Sequence, residues 1–227
     1  MRAVARESAG EHKKLLVTGC ARSGTLYTAQ VFQSLGLDVR HEMPVPPHGT
    51  MGRDGMVSWY MAVDDPHPPY GPSAVGFTFD TVIHQVRHPL RVIPSVAQFI
   101  LRSRASRRYI ERNAPQVRVR LPERFRPRRD RLILQASRYW VHWNHLARAK
   151  AGETLRLERL QTELPRLCRQ LGIEFSAEAV EKIPRTINGR EWYVQRPSWT
   201  VDWPEIAALD ARVCDEVRAL ARSYGYE

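Results

Sequence analysis

The sequence has little cysteine and no long apolar run, and both scarcities restrict the kind of protein it can encode. Its three cysteines, Cys20, Cys168 and Cys214, are too few and too far apart for a disulfide framework or a metal site, so they are predicted to be reduced thiols. No apolar run approaches the roughly 20 residues that a transmembrane helix needs. Residues 1–14 are polar, lack the apolar stretch of a signal peptide, and are predicted to be a disordered N-terminal lead. These features predict a cytoplasmic protein.

Lysine is also scarce. It supplies only four of the 35 basic residues, so the formal net charge of +11 comes almost entirely from arginine. A positive excess of this size favours anionic partners, which include nucleotides, acidic glycans, nucleic acids and membrane surfaces. The net charge alone does not distinguish these classes of partner. With 227 residues and 43% apolar side chains, the chain is long enough to form one globular domain with a sizeable core.

Short apolar segments alternate along the chain with segments of helical periodicity. Strands are predicted at residues 15–19, 38–41, 81–86 and 154–157, with predicted helices between and after them. Strands that alternate with helices are typical of a parallel sheet enclosed between two layers of helices. We therefore expect residues 15–227 to form a single α/β domain with a three-layer parallel sheet and flanking helices.

Two segments depart from this alternation. Residues 43–72 are rich in proline and glycine and are predicted to be a long irregular connection, with a short helix near residues 57–62. Residues 102–131 contain twelve arginines against three acidic residues and are predicted to be an exposed, partly irregular insertion. This insertion is either a solvated surface excursion or a lid or surface for an acidic acceptor. The chain is predicted to end in one helix, at residues 204–224.

A loop of small residues joins the first predicted strand to the first predicted helix. Backbone N–H groups in such a loop, with the partial positive charge of the helix N-terminus, favour a bound phosphate or sulfate. Gly19 and Gly24 have the outer spacing of a nucleotide triphosphate loop, but Thr25 and Leu26 stand where that loop has lysine and a hydroxyl ligand of Mg²⁺. The cation of this loop is instead Arg22. The candidate anion-binding residues are Ala21, Arg22, Ser23, Gly24, Thr25 and Leu26.

A second phosphate-binding element is predicted after the strand at residues 81–86. Arg87 follows the end of that strand, Pro89 starts a helix, and Ser95 lies eight residues after Arg87. Because ligands of open parallel sheets bind at the carboxyl ends of the strands, Arg87 should lie close to the first loop. A guanidinium and a hydroxyl at these positions could hold one phosphate, with the arginine acting as a bidentate donor.

The Arg-Ser-Gly-Thr sequence of residues 22–25, taken with Arg87 and Ser95, resembles the P-loop sulfotransferases. In that family a basic residue followed by Ser-Gly-Thr forms the 5′-phosphosulfate loop, and an arginine and a serine at this spacing hold the 3′-phosphate. The resemblance implies a P-loop nucleotide-binding fold and 3′-phosphoadenosine 5′-phosphosulfate (PAPS) as the donor. It also implies adenosine 3′,5′-bisphosphate (PAP) as the product, with no metal. Arg190 falls where the family often has a basic loop over the nucleotide, and is a further candidate phosphate contact.

The resemblance also suggests which residues would act in sulfuryl transfer. Arg22 would neutralise charge on the leaving phosphate. Glu42 is the candidate general base, since glycan-modifying members of the family place a glutamate at the corresponding point. His41 is the rival, because other members use histidine, but strand alternation would turn these two neighbours to opposite sides. His84 is predicted to be a packed core residue, and His88 either lines the site or faces solvent.

Two alternative functions fit the sequence less well. A nucleotide or small-molecule kinase would need a loop lysine and Mg²⁺ ligands, and neither is visible. A nucleic-acid-binding protein could use the arginine-rich segment, but this segment has only Tyr109 and Phe125 as interleaved aromatic residues and matches no recognised module. The acceptor hydroxyl or amine could belong to a glycan, a lipid, a peptide tyrosine or a small metabolite.

Overall fold

The computed structural model describes residues 10–42, 49–184 and 199–227. Five strands form one sheet in the order β2-β3-β1-β4-β5, and every neighbouring pair is parallel. The strands are β1 (Glu11–Gly19), β2 (Val39–His41), β3 (Gly55–Val57), β4 (Phe77–Val86) and β5 (Glu153–Arg156). The helices of the described residues are α1 (Thr25–Ser34), α2 (Pro89–Ser95), α3 (Arg104–Asn113), α4 (Arg128–Lys150), α5 (Leu160–Leu171), α6 (Ala177–Glu181), α7 (Trp203–Leu209) and α8 (Ala211–Ser223).

Helices cover both faces of the sheet. Alternation along β1 directs Leu15 and Val17 into one core, which α1, α5 and α6 close. Leu16 points to the opposite face, into a larger core built with α2, α3, α4, α7 and α8. The prediction of a parallel α/β sheet with flanking helices is therefore confirmed.

Two inner strands, β1 and β4, begin earlier than the sequence suggested. Glu11, His12 and Lys13 pair with Phe77, Thr78 and Phe79, so β1 and β4 both start four residues before their predicted apolar runs. The assignment of residues 11–14 to a disordered lead is wrong, because these polar residues gain backbone partners from β4. Residues 1–9 lie outside the described part of the chain.

A strand lies inside the segment predicted to be an irregular connection. β3 has only three residues, all buried, and inserts between β1 and β2. A run this short has no recognisable period. Gly55 permits the insertion, since a Cβ there would lie 1.8 Å from the carbonyl oxygen of Leu15. The helix expected near residues 57–62 is one 3₁₀ turn, Tyr60–Ala62.

The arginine-rich segment is more regular than predicted. Its first half is α3, which directs Tyr109 and Ile110 into the larger core while its arginines face outward. Two 3₁₀ turns follow, Pro115–Val117 and Leu121–Phe125. The segment is thus part of the domain's framework, and only its second half is irregular.

The C-terminal helix is divided into two. α7 ends at Leu209, and α8 begins after Asp210, whose carboxylate accepts a hydrogen bond of 3.2 Å from the N–H of Val213. The periodic apolar positions continue through this break, which is why the sequence predicted one helix. None of the helices in the described residues combines the length and the hydropathy of a bilayer-crossing segment.

Candidate anion-binding site

The loop between β1 and α1 has a tightly constrained backbone. Gly19 approaches β4 so closely that a Cβ would lie 2.0 Å from the carbonyl oxygen of Gln85. Gly24 has φ of 94°, and a Cβ there would meet Leu157 at 2.5 Å. Arg22 has φ of 69°, which side-chain-bearing residues seldom adopt. Such strain persists only where the surroundings impose it, and it is concentrated at functional sites.

Buried side chains from two directions hold this loop. The hydroxyl of Tyr139 on α4 accepts a 2.9 Å hydrogen bond from the N–H of Ala21, and burial raises the pKa of Tyr139 so that the phenol stays neutral. The amide of Gln85 donates to the carbonyl of Ser23 at 2.8 Å and accepts from the hydroxyl of Thr28 at 2.6 Å. The loop is therefore fixed against both α4 and β4 before any ligand binds.

The N-terminus of α1 is open. No side chain caps this helix, and Gly24 occupies the cap position. The N–H groups of the first helical turn have no intrahelical acceptor, and the aligned peptide dipoles give this end a partial positive charge. Thr25 and Leu26, both predicted ligands, lie in this turn. The helix end can accept an anion through backbone donors alone.

The two predicted anion-binding motifs meet directly. Nε of Arg22 donates a 2.8 Å hydrogen bond to the hydroxyl of Ser95, although 73 residues separate them in sequence. The guanidinium of Arg22 also lies over the ring of Phe99, 5.3 Å from its centroid. Arg22 is thus held between α1 and the segment that follows α2.

A cavity of about 440 Å³, here called the anion cavity, opens where these residues meet. Four predicted residues line it, Arg22, Gly24, Arg87 and Ser95, together with Arg91, Glu158 and several other residues. Arg91 was missed by sequence reasoning, although its spacing from Arg87 and Ser95 places all three on one side of the α2 segment. Three guanidinium groups and one carboxylate make the cavity strongly cationic.

Among the described residues, Glu158 is the only acidic side chain that lines the anion cavity, and its carboxylate already accepts two hydrogen bonds. Its carboxylate accepts from the hydroxyl of Tyr226 at 2.7 Å and from the N–H of His88 at 3.4 Å. Burial lowers the pKa of Arg87, and the neighbouring charge of Glu158 opposes that shift. Arg87 remains a cation at neutral pH, because an arginine side chain stays protonated in proteins. Sequence reasoning assigned no role to Glu158, although this residue follows the predicted strand at residues 154–157 and the rule for strand ends applies to it as well.

His41 and Glu42 lie together at the end of β2, outside the residues that line the anion cavity. Nε2 of His41 is 3.0 Å from the hydroxyl of Thr25 and 3.5 Å from Oε1 of Glu42. Nδ1 of His41 donates to the carbonyl of Glu42 at 2.9 Å, so in the neutral ring Nε2 accepts from Thr25. The expectation that these neighbours point to opposite sides is wrong, because β2 ends at His41 and alternation does not extend to Glu42.

Glu42 is largely withdrawn from solvent. The residue is 8% exposed, and its Oε2 has no hydrogen-bond partner among the described residues. Its charge contributes to the raised pKa of Tyr60, whose main cause is burial. A buried carboxylate oxygen with an unused lone pair is a group that can accept a proton from a bound molecule.

The remaining predicted residues have different surroundings. Ala21 and Ser23 are buried, so they contribute to the loop through their backbone, and Oγ of Ser23 has no hydrogen-bond partner in the described part of the chain. His84 is a core residue as predicted, bonded to Asn144 at 2.9 Å. His88 does not line the anion cavity; its Nδ1 accepts from the N–H of Leu90, and its ring packs against Tyr226. Arg190 lies outside the described residues.

No group of three or more histidine, cysteine, aspartate or glutamate side chains suited to a metal ion occurs among the described residues. Comparison with models of known protein families gives no match. No curated protein has significant sequence similarity to the chain.

Proposed function

We propose that the protein is a sulfotransferase that moves a sulfuryl group from PAPS to the hydroxyl or amine of an acceptor. One observation carries the proposal: Arg22, Arg87, Arg91 and Ser95 line a single cavity beside the uncapped N-terminus of α1. That arrangement offers two groups of anion donors in one crevice. PAPS has two separate anionic ends, a 5′-phosphosulfate and a 3′-phosphate.

The size and the charge of the anion cavity support a nucleotide of this kind. Its volume of about 440 Å³ is within the usual range of small-molecule sites, roughly 300–1,000 Å³. In the described part of its lining, three arginines outnumber one carboxylate, that of Glu158, which is itself hydrogen-bonded to Tyr226. A ligand with several negative charges would complement this excess. The loop has no lysine at the position where nucleotide triphosphate loops hold the β- and γ-phosphates.

Different residues bind the two ends of PAPS. In this proposal Arg22 and the first-turn N–H groups of α1 hold the 5′-phosphosulfate end, and Arg87 and Ser95 hold the 3′-phosphate. PAPS supplies the sulfuryl group, and the cations stabilise the negative charge that develops on the leaving phosphate. Arg22 is aimed by Ser95 and Phe99 in the folded protein, so little reorganisation is needed when that charge develops.

Glu42 is the proposed general base. Its Oε2 has no hydrogen-bond partner among the described residues, whereas Nε2 of His41 is engaged by Thr25. Glu42 Oε2 would take the proton of the acceptor hydroxyl or amine. His41, 3.5 Å from Oε1 of Glu42, would position the carboxylate and link it to Thr25 on the anion loop.

Thermal unfolding in the presence of nucleotides tests the donor assignment. PAP should raise the melting temperature more than 5′-AMP does, without a metal requirement, because stabilisation follows RT ln(1 + [L]/Kd). Transfer of radiolabelled sulfate from PAPS to a panel of glycans, phenols, amines and lipids then tests the reaction. Equal shifts with PAP and 5′-AMP would remove the 3′-phosphate argument, and a Mg²⁺-dependent preference for ATP would favour the kinase.

A further inference from the structure

The irregular half of the arginine-rich segment exposes two large apolar side chains on one turn. Leu121 is 68% exposed and Phe125 is 87% exposed, the highest values among the large apolar residues of the described chain. They mark the two ends of the 3₁₀ turn Leu121–Phe125. A single exposed leucine is ordinary, but two apolar side chains on one protruding turn suggest a surface that is covered in use.

This turn is held in place by buried charge. Glu123, at its centre, accepts a hydrogen bond of 2.9 Å from Arg138 of α4, and Arg138 is 3% exposed. Glu123 also accepts from the N–H of Arg120 at 2.9 Å, and Nη1 of Arg131 donates to the carbonyl of Arg124 at 3.0 Å. Breaking a buried ion pair is costly, so Leu121 and Phe125 are displayed by a fixed turn.

A second cavity, here called the arginine cavity, lies beside this turn. It has a volume of about 480 Å³ and is lined by five arginines, Arg107, Arg118, Arg124, Arg128 and Arg131. Glu111 is the one acidic side chain that the described residues contribute to its lining, and Oε1 of Glu111 accepts a 2.9 Å hydrogen bond from Gln135. In the part of the chain that the structure describes, no carboxylate forms an ion pair with any of the five arginines.

We propose that this face docks on the surface of a bilayer that contains anionic phospholipids. Leu121 and Phe125 enter the headgroup layer, and the arginine cavity binds headgroup phosphates. Arginines near an anionic surface and apolar side chains at its boundary each add to the affinity, and the two signals together give reversible binding. A soluble polyanion would complement the arginines but would leave Leu121 and Phe125 in water, so the bilayer matches both features.

Vesicle flotation with the full-length protein tests the proposal. The protein should float with phosphatidylcholine vesicles that contain phosphatidylglycerol and should not float with phosphatidylcholine alone. High salt should weaken the binding, because the surface potential is screened. Neither nucleotide nor turnover enters this assay, so its failure would leave the proposed sulfotransferase activity untouched.

Two double variants separate the apolar signal from the charge. Leu121→Ser with Phe125→Ser and Arg124→Gln with Arg128→Gln should each weaken vesicle binding about tenfold or more. All four side chains are exposed, so the variants should fold like the wild type, which the melting temperature checks. Arg169→Gln with Arg222→Gln removes the same charge from exposed positions elsewhere and should have little effect.

Heparin provides the opposing arm. Suppose that the wild type and the Leu121→Ser, Phe125→Ser variant bind heparin equally and that neither binds vesicles. The partner of this face would then be a soluble polyanion and not a bilayer. The control variant Arg169→Gln with Arg222→Gln should bind vesicles like the wild type. If it weakened binding as much as Arg124→Gln with Arg128→Gln, the proposed docking face would be wrong. In a Phe125→Trp variant, brominated lipid should quench more fluorescence than in the wild type, and the absence of extra quenching would also contradict insertion.

Discussion

The anion cavity and the arginine cavity are similar in volume, about 440 and 480 Å³, and both are lined by arginine, but they are built differently. The anion cavity combines backbone donors at the start of α1 with side chains at the end of β4 and along α2. The arginine cavity consists of side chains on α3, α4 and the turns between them. Arginine content alone would favour the second cavity as the active site, whereas strand ends and free helix donors favour the first.

The largest expected effect is on turnover, which should depend on Glu42, beside the anion loop, and not on the carboxylate of the arginine cavity. Glu42→Gln removes the proton acceptor but preserves size, so turnover should fall about 10²–10⁴-fold while PAP affinity is unchanged. His41→Gln should be much milder. Glu111→Gln, the matched change in the arginine cavity, should leave turnover as it is. Radiolabelled sulfuryl transfer provides the measurement, and a Glu42→Gln enzyme with near-normal turnover would contradict the assignment.

The sheet behind the anion cavity should make the fold sensitive to acid through His84. Burial lowers the pKa of this histidine from 6.5 to about 4, so the folded state keeps the ring neutral where the unfolded chain becomes protonated. Stability should therefore be intact above pH 6.5 and should fall as the pH drops from 6.5 towards 4, by up to roughly 3 kcal/mol.

Urea unfolding at several pH values measures this dependence. His84→Gln should remove most of the slope between pH 6.5 and 4, at some cost in stability at neutral pH. His67→Gln, a change at an exposed histidine, should keep the slope of the wild type. An unchanged slope in His84→Gln would show that another group controls the acid response.

Nucleotide affinity should distinguish the two sets of arginines. Arg87→Ala should weaken PAP binding by about 2 kcal/mol or more, roughly 30-fold, because a charge-assisted contact is lost. Arg118→Ala, in the arginine cavity, should leave the PAP dissociation constant unchanged. Calorimetric titration would decide, and an equal loss in both variants would mean that PAP responds only to net charge.

The smallest expected effect belongs to Ser95. Ser95→Ala should cost about half as much PAP affinity as Arg87→Ala, since a neutral hydroxyl is lost, along with the acceptor of Arg22. Ser34→Ala is the matched control, because that hydroxyl donates a hydrogen bond to the carbonyl of Val31 within α1 and does not line the anion cavity. Titration of both variants at the same ionic strength makes the comparison, and unchanged PAP binding by Ser95→Ala would exclude its proposed contact.

The sequence was sufficient where a local pattern decides the structure. The apolar run of β1, the small residues after it and the Pro89 helix start are local signals, and they placed Arg22 near Arg87 through the rule for strand ends. β3 was missed, because three residues carry no period and their burial depends on two neighbouring strands. His41 and Glu42 were placed on opposite sides because strand alternation was applied to Glu42, which follows the last residue of β2.

The contacts that shape the site were beyond a reading of the sequence. Tyr139 binds the N–H of Ala21, and Gln85 binds the carbonyl of Ser23. Nothing in the sequence around either residue distinguishes it from other polar residues of a helix or a strand. Leu157 packs on Gly24 from the turn after β5. These contacts join segments far apart in the chain, so only the tertiary structure reveals them. Arg91 is different, since its spacing from Arg87 and Ser95 was visible.

The hydrogen bond between Arg22 and Ser95 also affects how the two ends of a ligand would be sensed. It joins the loop after β1 to the end of α2. A ligand group that displaces either side chain therefore changes the free energy with which the other side chain binds its own ligand group. Such coupling is reciprocal: a contact that strengthens binding at one end strengthens binding at the other end by the same factor. Discrimination between nucleotides would then exceed the sum of the two separate contacts, and a double-mutant cycle on Arg22 and Ser95 would measure the excess.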